Sequence, residues 1–435
     1  MNKTRLFQKS LLAVTIATAT LASQQTLAAG FQLNAQSATG LGRAFAGDAV
    51  IADNASAMAR NPATMALFDK MSLSLGVISI TSKIEVKDAK YSVFNGADYS
   101  NSDANFSDAG DTSFVPNIHL VVPVNDKFAW GVNAYTNFAT KTEFDDKYAA
   151  SEYGGLTDVK SYNLGLAGSY RVDEQWSLGA GLDLIYGKGT LKRNASPTLA
   201  GVITSGASTS FTALDTTADG WALGFNFGGV FELDEENRFG LSYRYSPDLK
   251  AEGDITKSGT KYQGDTLTMP LPDMAEFSGY HQLNEKFALH YSVQWIKWSE
   301  FDKLEADKAG HIKDYQWQDG MHYALGGTYF LNNDWTLRAG YMHDTSAQDQ
   351  VTSISVPDSD RNWLSAGFTY KVDENSNLDF GMTYLIGEDV KVNEQTLNSR
   401  YDPGNPAFGP EKLSTLEATT HANAILVGLQ YSHTF

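Results

Sequence analysis

The chain has 435 residues and no cysteine, and 33 basic residues against 51 acidic ones give a formal net charge of -18. This acidic balance disfavours nucleic-acid binding, which needs a basic surface, and the lack of cysteine excludes a disulfide framework. The 42% hydrophobic content excludes a wholly disordered chain, yet no run of 18 apolar residues could form a transmembrane helix.

The first 28 residues have the pattern of a secretory signal peptide. Three basic residues precede an apolar core over 11–22, which is too short to cross a bilayer. Small residues at Thr26 and Ala28 provide the usual spacing before a cleavage site. We therefore predict that residues 1–28 are removed after Ala28 and that the mature chain is exported.

Residues 29–70 lack sustained alternation and are rich in glycine and alanine. A disordered leader would normally be more polar than this segment. Because the segment precedes the first predicted strand, we expect a compact, partly helical hatch that plugs the barrel formed by residues 71–435.

From residue 71 onward, apolar residues recur with a period of two. Trp221, Leu223, Phe225 and Phe227 share one face of a strand, and small or polar residues lie between them. This alternation is typical of strands with one apolar and one polar face. About fourteen such segments occur, and they begin near Met71, Ser113, Phe128, Ser161, Trp176, Gly220, Asn237, Pro272, Phe287, Met321, Trp335, Arg361, Asn377 and His421.

The connections between these segments alternate between tight polar turns and long polar loops. Most tight turns are followed at once by an aromatic residue, as a periplasmic aromatic girdle requires, and the last strand ends on Phe435. We therefore predict an all-β protein, a fourteen-stranded antiparallel transmembrane β-barrel with a small N-terminal, partly helical hatch inside the lumen. It would cross the bacterial outer membrane many times. A soluble β-sandwich also alternates and is the alternative.

Short motifs in the hatch segment resemble one family. They are GFQLN at 30–34, GLGRA at 40–44, IAD at 51–53 and RNPA at 60–63, and LPDM at 271–274 extends the similarity into the barrel. In this order they resemble the long-chain fatty-acid outer-membrane transporter (FadL) family, which also includes aromatic-hydrocarbon channels. The resemblance implies a fourteen-stranded barrel with a hatch, in agreement with the strand count.

The resemblance also implies a ligand site inside the barrel. Arg193 and Lys313 match the basic residues that hold the fatty-acid carboxylate, while Phe31 and Leu191 match positions that contact the acyl chain. Parity along the strand that begins at Trp176 independently puts Leu191 and Arg193 on its lumen side. The alternative for both basic residues is a solvated loop charge, and for Phe31 it is ordinary packing in the hatch.

Two further groups of residues follow from the resemblance. The hatch positions that match family motifs are Gly42, Arg43, Asn61, Pro62 and Ala63. In the family a kink in the third strand opens the wall sideways.

The matching kink positions are Asn137, Phe138 and Ala139. Ala139 replaces a glycine of the family pattern, which leaves the shape of the kink open.

These observations predict passive uptake of long-chain fatty acids through extracellular and internal sites, hatch movement and lateral exit. An uptake channel for aromatic or other hydrophobic hydrocarbons and a general porin are the alternatives. We predict no enzymatic activity, because Gly-x-Ser-x-Gly is absent and His290 and Ser292 lie on the lumen parity, whereas catalysis in a barrel wall needs an exposed pair on the lipid side. No catalytic residue, metal or cofactor is expected. The expected partners are fatty acids, outer-membrane lipid and lipopolysaccharide, with no nucleic acid, and the barrel should be a monomer.

Overall fold

The computed structural model describes residues 30–405 and 409–435, so the predicted signal peptide lies outside the described residues. The strands are β1 Ser72–Phe94, β2 Tyr99–Asp103, β3 Thr112–Pro123, β4 Phe128–Tyr135, β5 Ala139–Glu143, β6 Leu156–Arg171, β7 Trp176–Asn194, β8 Thr212–Glu232, β9 Asn237–Tyr245, β10 Leu249–Lys257, β11 Thr260–Met269, β12 Met274–Asn284, β13 Phe287–Ile296, β14 Lys303–Ala306, β15 Gly310–Asp314, β16 Gly320–Phe330, β17 Trp335–Asp344, β18 Arg361–Asp373, β19 Ser376–Gly387, β20 Val390–Leu397 and β21 Lys412–Thr434. The short helices are α1 Ala38–Leu41, α2 Pro197–Ile203 and three 3-10 helices at Ala55–Ala59, Pro62–Leu67 and Trp298–Glu300.

All strands belong to one antiparallel sheet that closes on itself. Strand β1 pairs with β3 on one side and with the last strand, β21, on the other. Six wall strands are interrupted and consist of two segments each, and β2 is a hairpin extension of β1. The predicted fourteen-stranded antiparallel barrel is confirmed, and its closure pairs the first strand with the last, which removes the two open edges that a flat sheet would have.

The two faces of the wall differ as the alternation predicts. The outward apolar side chains of β7 and β8, such as Leu182 and Leu223, are exposed, because lipid is their natural environment. Inward polar residues such as Asp183 and Asn226 are buried in the lumen. At one end of the lipid-facing surface, the rings of Tyr186 and Trp221 lie 4.9 Å apart at a tilt of 47°, in the position of an outer aromatic girdle.

The tight turns have a local cause. In four of them the side chain of an Asn or Asp accepts hydrogen bonds from backbone N–H groups two and three residues later, which closes the turn without help from distant residues. These capping residues are Asn125, Asp173, Asp234 and Asn332.

Residues 30–70 fold inside the barrel, with α1 against β18, β19 and β21 and the 3-10 helix Pro62–Leu67 against β6, β7 and β8. Glycines on the inner wall permit this close contact. A Cβ atom at Gly240 would lie 2.1 Å from the carbonyl oxygen of Ala49, so no larger residue fits there. Within 30–405 and 409–435, no helix is both long and apolar enough to span a membrane.

Candidate functional site

Phe31, near the start of the hatch, lies in an aromatic cluster in the upper lumen. Phe31 is buried, with its ring centroid 4.6 Å from Trp298, 5.3 Å from Phe301 and 5.7 Å from Trp317. The tilted and edge-on ring geometries are those that aromatic pairs prefer. Phe31 therefore packs against aromatic residues of the barrel rather than only against other hatch residues.

An apolar cavity adjoins this cluster, and its free volume is about 40 Å³. Because a cavity of roughly 10–15 Å³ on this measure holds one water molecule, the free space suits a few waters, and an acyl chain can enter only if side chains move aside. The cavity is lined by Phe31, Thr140, Thr157, Val159, Gly189, Leu191, Ala218, Leu249, Ala251, Leu267, Met269, Phe301, Leu304, Tyr315 and Val356. The lumen is therefore apolar at this level, and Phe31 is the hatch residue that fills it.

Arg193 lies near the end of β7, two residues beyond Leu191 on the same face, and is half-buried. Its guanidinium donates hydrogen bonds to the carbonyl oxygens of Leu156 and Lys192 at 2.6 and 2.7 Å and to Oγ1 of Thr157 at 2.6 Å. The Thr157 side chain also lines the cavity, so the guanidinium lies at the cavity rim.

Lys313 lies on β15, in the hairpin that folds over the aromatic cluster. Its Nζ donates to Oγ of Ser353 at 2.7 Å, forms an ion pair with Glu394 at 3.1 Å and lies 5.8 Å from the ring centroid of Tyr315. Tyr315 lines the apolar cavity, so Lys313 also lies at its rim.

The two cations share their surroundings. Tyr315 and Glu394, the neighbours of Lys313, also act electrostatically on Arg193. Arg193 lies seven residues beyond Tyr186 of the outer girdle and so outside the membrane-spanning part of β7. Burial lowers the pKa of Arg193 to about 10, with opposing effects from Tyr315 and Glu394, so its side chain stays cationic at neutral pH.

The predicted kink coincides with an interruption of the wall. Strand β4 ends at Tyr135 and β5 begins at Ala139, and between them the backbone pairs with the hatch. The N–H of Leu33 donates to the carbonyl oxygen of Asn137 at 2.7 Å. The N–H of Ala139 donates to the carbonyl oxygen of Phe31, also at 2.7 Å.

Phe138 lies between Asn137 and Ala139 in the chain. It forms a β-bridge with Gln32 of the hatch, and its ring centroid lies 6.2 Å from that of Phe31. The pairing of β3 with β4 ends at Ile118 opposite Ala134. The hatch therefore supplies the hydrogen bonds that the wall lacks at this point.

Arg43 is the centre of a buried ion network in the lower lumen. Its guanidinium pairs with Asp48 at 2.8 Å and with Asp53 at 2.9 Å, and Asp53 also pairs with Arg338 of the wall at 3.3 Å. Gly42 precedes Arg43 and packs closely on Gly367, where an added Cβ would lie 3.0 Å from the Gly367 Cα. Both residues hold the hatch against β17 and β18.

Asn61, Pro62 and Ala63 form a second anchor. The Asn61 side chain caps the 3-10 helix Pro62–Leu67 by accepting from the N–H of Ala63 at 3.0 Å. Its amide group donates to the carbonyl oxygens of Ala49 at 2.7 Å and of Gly229 in the wall at 3.1 Å. The capped turn and the attachment to the wall are therefore one arrangement.

His290 and Ser292 do not form a nucleophile–base pair. His290 hydrogen-bonds to Thr328 at 3.0 Å, while Ser292 lies 2.7 Å from the hydroxyl of Ser278 and accepts from the N–H of Gly47 at 2.8 Å. Both side chains are buried against the hatch, so their arrangement supports packing of the hatch.

Sequence reasoning missed three contributors to the site. The aromatic residues Trp298, Phe301, Tyr315 and Trp317 lie in a stretch that the pattern gave only as a polar loop, although their density was a usable signal. Glu394 was missed because nothing near it in the chain marks its contact with Lys313.

The third omission is the segment 353–359, between β17 and β18. It is buried and folds into the lumen, although its serines and aspartates suggest an exposed loop.

Comparison with known proteins agrees with this architecture. The family described as "Outer membrane protein transport protein (OMPP1/FadL/TodX)" matches residues 19–435. A long-chain fatty acid transport protein from Escherichia coli O6:H1 is 38% identical over 430 residues, which cover 91% of this chain and 94% of that protein. Outer membrane protein P1 of Haemophilus influenzae is 36% identical over 475 residues and covers 99% of both chains.

Solved structures share the fold at lower identity. A FadL homologue from Pseudomonas aeruginosa has a TM-score of 0.81 at 21% identity and covers 94% of this chain and 100% of that one. The toluene transporter TodX from Pseudomonas putida has a TM-score of 0.65 at 17% identity, again over 94% and 100%. The chain is an outer-membrane β-barrel and belongs to the FadL/TodX family of outer-membrane transport proteins.

Proposed function

We propose that this barrel takes up long-chain fatty acids passively across the outer membrane, as a monomer embedded in lipid and lipopolysaccharide. One observation carries the proposal: Arg193 and Lys313 lie at the rim of a cavity whose lining is almost entirely apolar. A molecule with a carboxylate at one end and a long hydrocarbon chain at the other satisfies both parts of this site.

The energetics favour such a ligand over a small polar solute. Burial of each methylene contributes about 0.8 kcal/mol, so an apolar cavity binds an acyl chain that a water-filled pore would not hold. A guanidinium and an ammonium then select for the carboxylate, and arginine can offer it two parallel donors. No catalytic step is part of this proposal.

Entry of the acyl chain requires that Phe31 leave the cavity, because the free volume there is small. Phe31 is attached to the kink through its hydrogen bond to Ala139. Its movement would remove the hydrogen bonds that the hatch gives to the wall between β4 and β5. We propose that the ligand then leaves sideways through this interruption, where the pairing of β3 with β4 has ended.

The test is calorimetric binding of oleate to the detergent-purified protein and to the Arg193→Ala/Lys313→Ala double variant. We expect oleate affinity to fall by about one to two orders of magnitude, since charge-assisted hydrogen bonds contribute about 1.5–3 kcal/mol each before the cost of ordering. The Lys188→Ala/Lys192→Ala variant is the matched control, because both lysines are exposed on the same strand. Equal oleate affinity in all three proteins would show that Arg193 and Lys313 do not bind the carboxylate.

Uptake of aromatic hydrocarbons is the second candidate, and the aromatic cluster around Phe31 favours it. A hydrocarbon has no carboxylate, so its binding would not depend on Arg193 or Lys313. Saturable toluene binding that is equal in wild type and double variant, without oleate binding, would support this candidate. A general porin would instead conduct ions in planar bilayers with the hatch in place.

A further inference from the structure

Glu394 on β20 places its carboxylate beside the Lys313 ammonium. One carboxylate oxygen lies 3.1 Å from Nζ of Lys313. The other accepts hydrogen bonds from Oγ of Ser353 at 3.0 Å and from the N–H of Ile354 at 2.9 Å. The Glu394 side chain is 10% exposed and that of Lys313 is 30% exposed, so water screens this ion pair in part.

The two cations of the site therefore differ in the structure. Arg193 donates to two carbonyl oxygens and one hydroxyl, all neutral acceptors. Lys313 is paired with a full negative charge. A ligand carboxylate gains a charged partner at Arg193 directly, but at Lys313 it must replace Glu394, since two ionised carboxylates beside one ammonium repel each other.

We propose that Glu394 is an internal competitor for the head group, a specificity-determining residue that the ligand carboxylate displaces from Lys313. This proposal rests on the proposed function, because it requires that Arg193 and Lys313 bind the carboxylate. Only a carboxylate can replace the charge that Lys313 loses, so acids displace Glu394 and bear the cost of that displacement, whereas neutral lipids of equal length do not.

Displacement of Glu394 also reaches the hatch through one short segment. Glu394 anchors Ser353 and Ile354, and two residues further on Val356 lines the apolar cavity. Asp358 then accepts a hydrogen bond at 3.2 Å from the N–H of Gly30, the residue before Phe31. A ligand that takes Lys313 therefore loosens the segment that holds the start of the hatch in the cavity.

The same segment touches the wall beyond the kink, where Oγ1 of Thr142 on β5 donates to the carbonyl oxygen of Ser355 at 2.6 Å. The head-group site, the cavity, the hatch and the strand next to the interruption are thus joined by six consecutive residues. A substitution that removes the charge of Glu394 abolishes the competition at Lys313, and it also removes the negative charge that acts on Arg193.

The experiment compares Glu394→Gln with wild type for oleate and for oleyl alcohol, which has the same chain and no charge. Glutamine keeps an oxygen that accepts from Ile354 but removes the charge. We expect oleate affinity to rise about fivefold, as for loss of a competing ion pair near the protein surface, and oleyl alcohol affinity to stay unchanged. Asp389→Asn is the matched control, because Asp389 on the neighbouring turn pairs with His421 and is 65% exposed.

Unchanged or weaker oleate binding by Glu394→Gln would overturn the proposal, since an anchor that merely orders Lys313 predicts a loss. The Arg193→Ala/Lys313→Ala variant distinguishes failure of the role of Glu394 from failure of the proposed head-group site. If that variant loses oleate while Glu394→Gln gains nothing, only the role of Glu394 fails. If it keeps oleate, the head-group site and the role of Glu394 fail together. Should Glu394→Gln not fold, as judged by heat-dependent gel mobility, Glu394→Asp withdraws the carboxylate from Lys313 and should also strengthen oleate binding.

Discussion

The lower and upper halves of the lumen are enclosed by the same strands but have opposite chemistry. Below, the hatch meets the wall through buried ions such as Arg43 and Arg338 and through glycines that admit its backbone. Above, β7, β10 and β11 turn Leu191, Leu249 and Leu267 inward around an apolar cavity. The comparison teaches that a lumen-facing position has no fixed polarity, because what fills the lumen at that level decides it.

The ion network is the part of the lower lumen whose loss should cost most. We expect Arg43→Met to destabilise the docked hatch by about 3–5 kcal/mol, because Asp48 and Asp53 would keep buried charges without their main partner. Hydrogen–deuterium exchange over residues 38–50 measures this free energy. Arg171→Met is the control, since its pair with Glu232 is half-exposed and should contribute at most about 1 kcal/mol. Equal exchange in both variants would contradict the assigned role of Arg43.

Close backbone contact is the second feature of the lower lumen. We expect Gly240→Val to cost about 1–3 kcal/mol of hatch docking through overpacking against Ala49. Single-channel recording should then show openings that the wild type lacks. Gly168→Val is the matched control, because a Cβ atom there would make an ordinary contact 3.7 Å from Phe128 on the lipid-facing side. A closed Gly240→Val channel would show that the hatch tolerates displacement from β9.

The smallest expected effect concerns the apolar upper lumen. We expect Leu191→Asn to weaken oleate and oleyl alcohol binding alike, each about tenfold, because burial of a leucine side chain contributes about 1.5–3 kcal/mol. Calorimetry with both ligands measures it, and Thr190→Asn on the outer face of β7 should leave both affinities unchanged. A loss confined to oleate would mean that Leu191 acts on the head group and not on the acyl chain.

Together with the Arg193→Ala/Lys313→Ala variant, these three substitutions test the upper and lower halves of the lumen separately. Removal of Arg193 and Lys313 should affect oleate only, whereas Leu191→Asn should affect both ligands. Arg43→Met and Gly240→Val should change hatch docking and conductance first. If a substitution in the lower lumen changed ligand affinity, or one in the upper lumen changed hatch docking, the two halves of the lumen would be energetically coupled.

The architecture was readable from local patterns, because each strand and each tight turn depends on residues close together in the chain. Alternation from Trp176 to Tyr186 predicts the lipid-facing side of β7, and Asp173 closes the turn before it through its own side chain. The family resemblance pointed to Arg193 and Leu191, and the same parity independently put both on the lumen side. Their surroundings could not be predicted in this way, because these include residues of other strands, such as Leu249 and Phe301, that only the folded barrel brings near.

Glu394 and Asp358 show why the rest of the site could not be predicted. Glu394 lies 81 residues from Lys313, and Asp358 lies 328 residues from Gly30. No periodicity relates positions so far apart, and polar residues of this kind usually indicate solvated loops. Only the closed barrel, which brings the ends of distant strands around one lumen, turns them into neighbours.

The sequence by itself determined the export signal pattern, the number of strands, the lipid-facing side of the wall and the presence of an unusual segment before the first strand. Each of these is a property of hydrophobic period or local turn chemistry. The tertiary structure alone decided that the lumen is polar below and apolar above, that Phe31 fills the cavity and that Glu394 pairs with Lys313. These depend on contacts across the barrel, which form only when the sheet closes between β1 and β21.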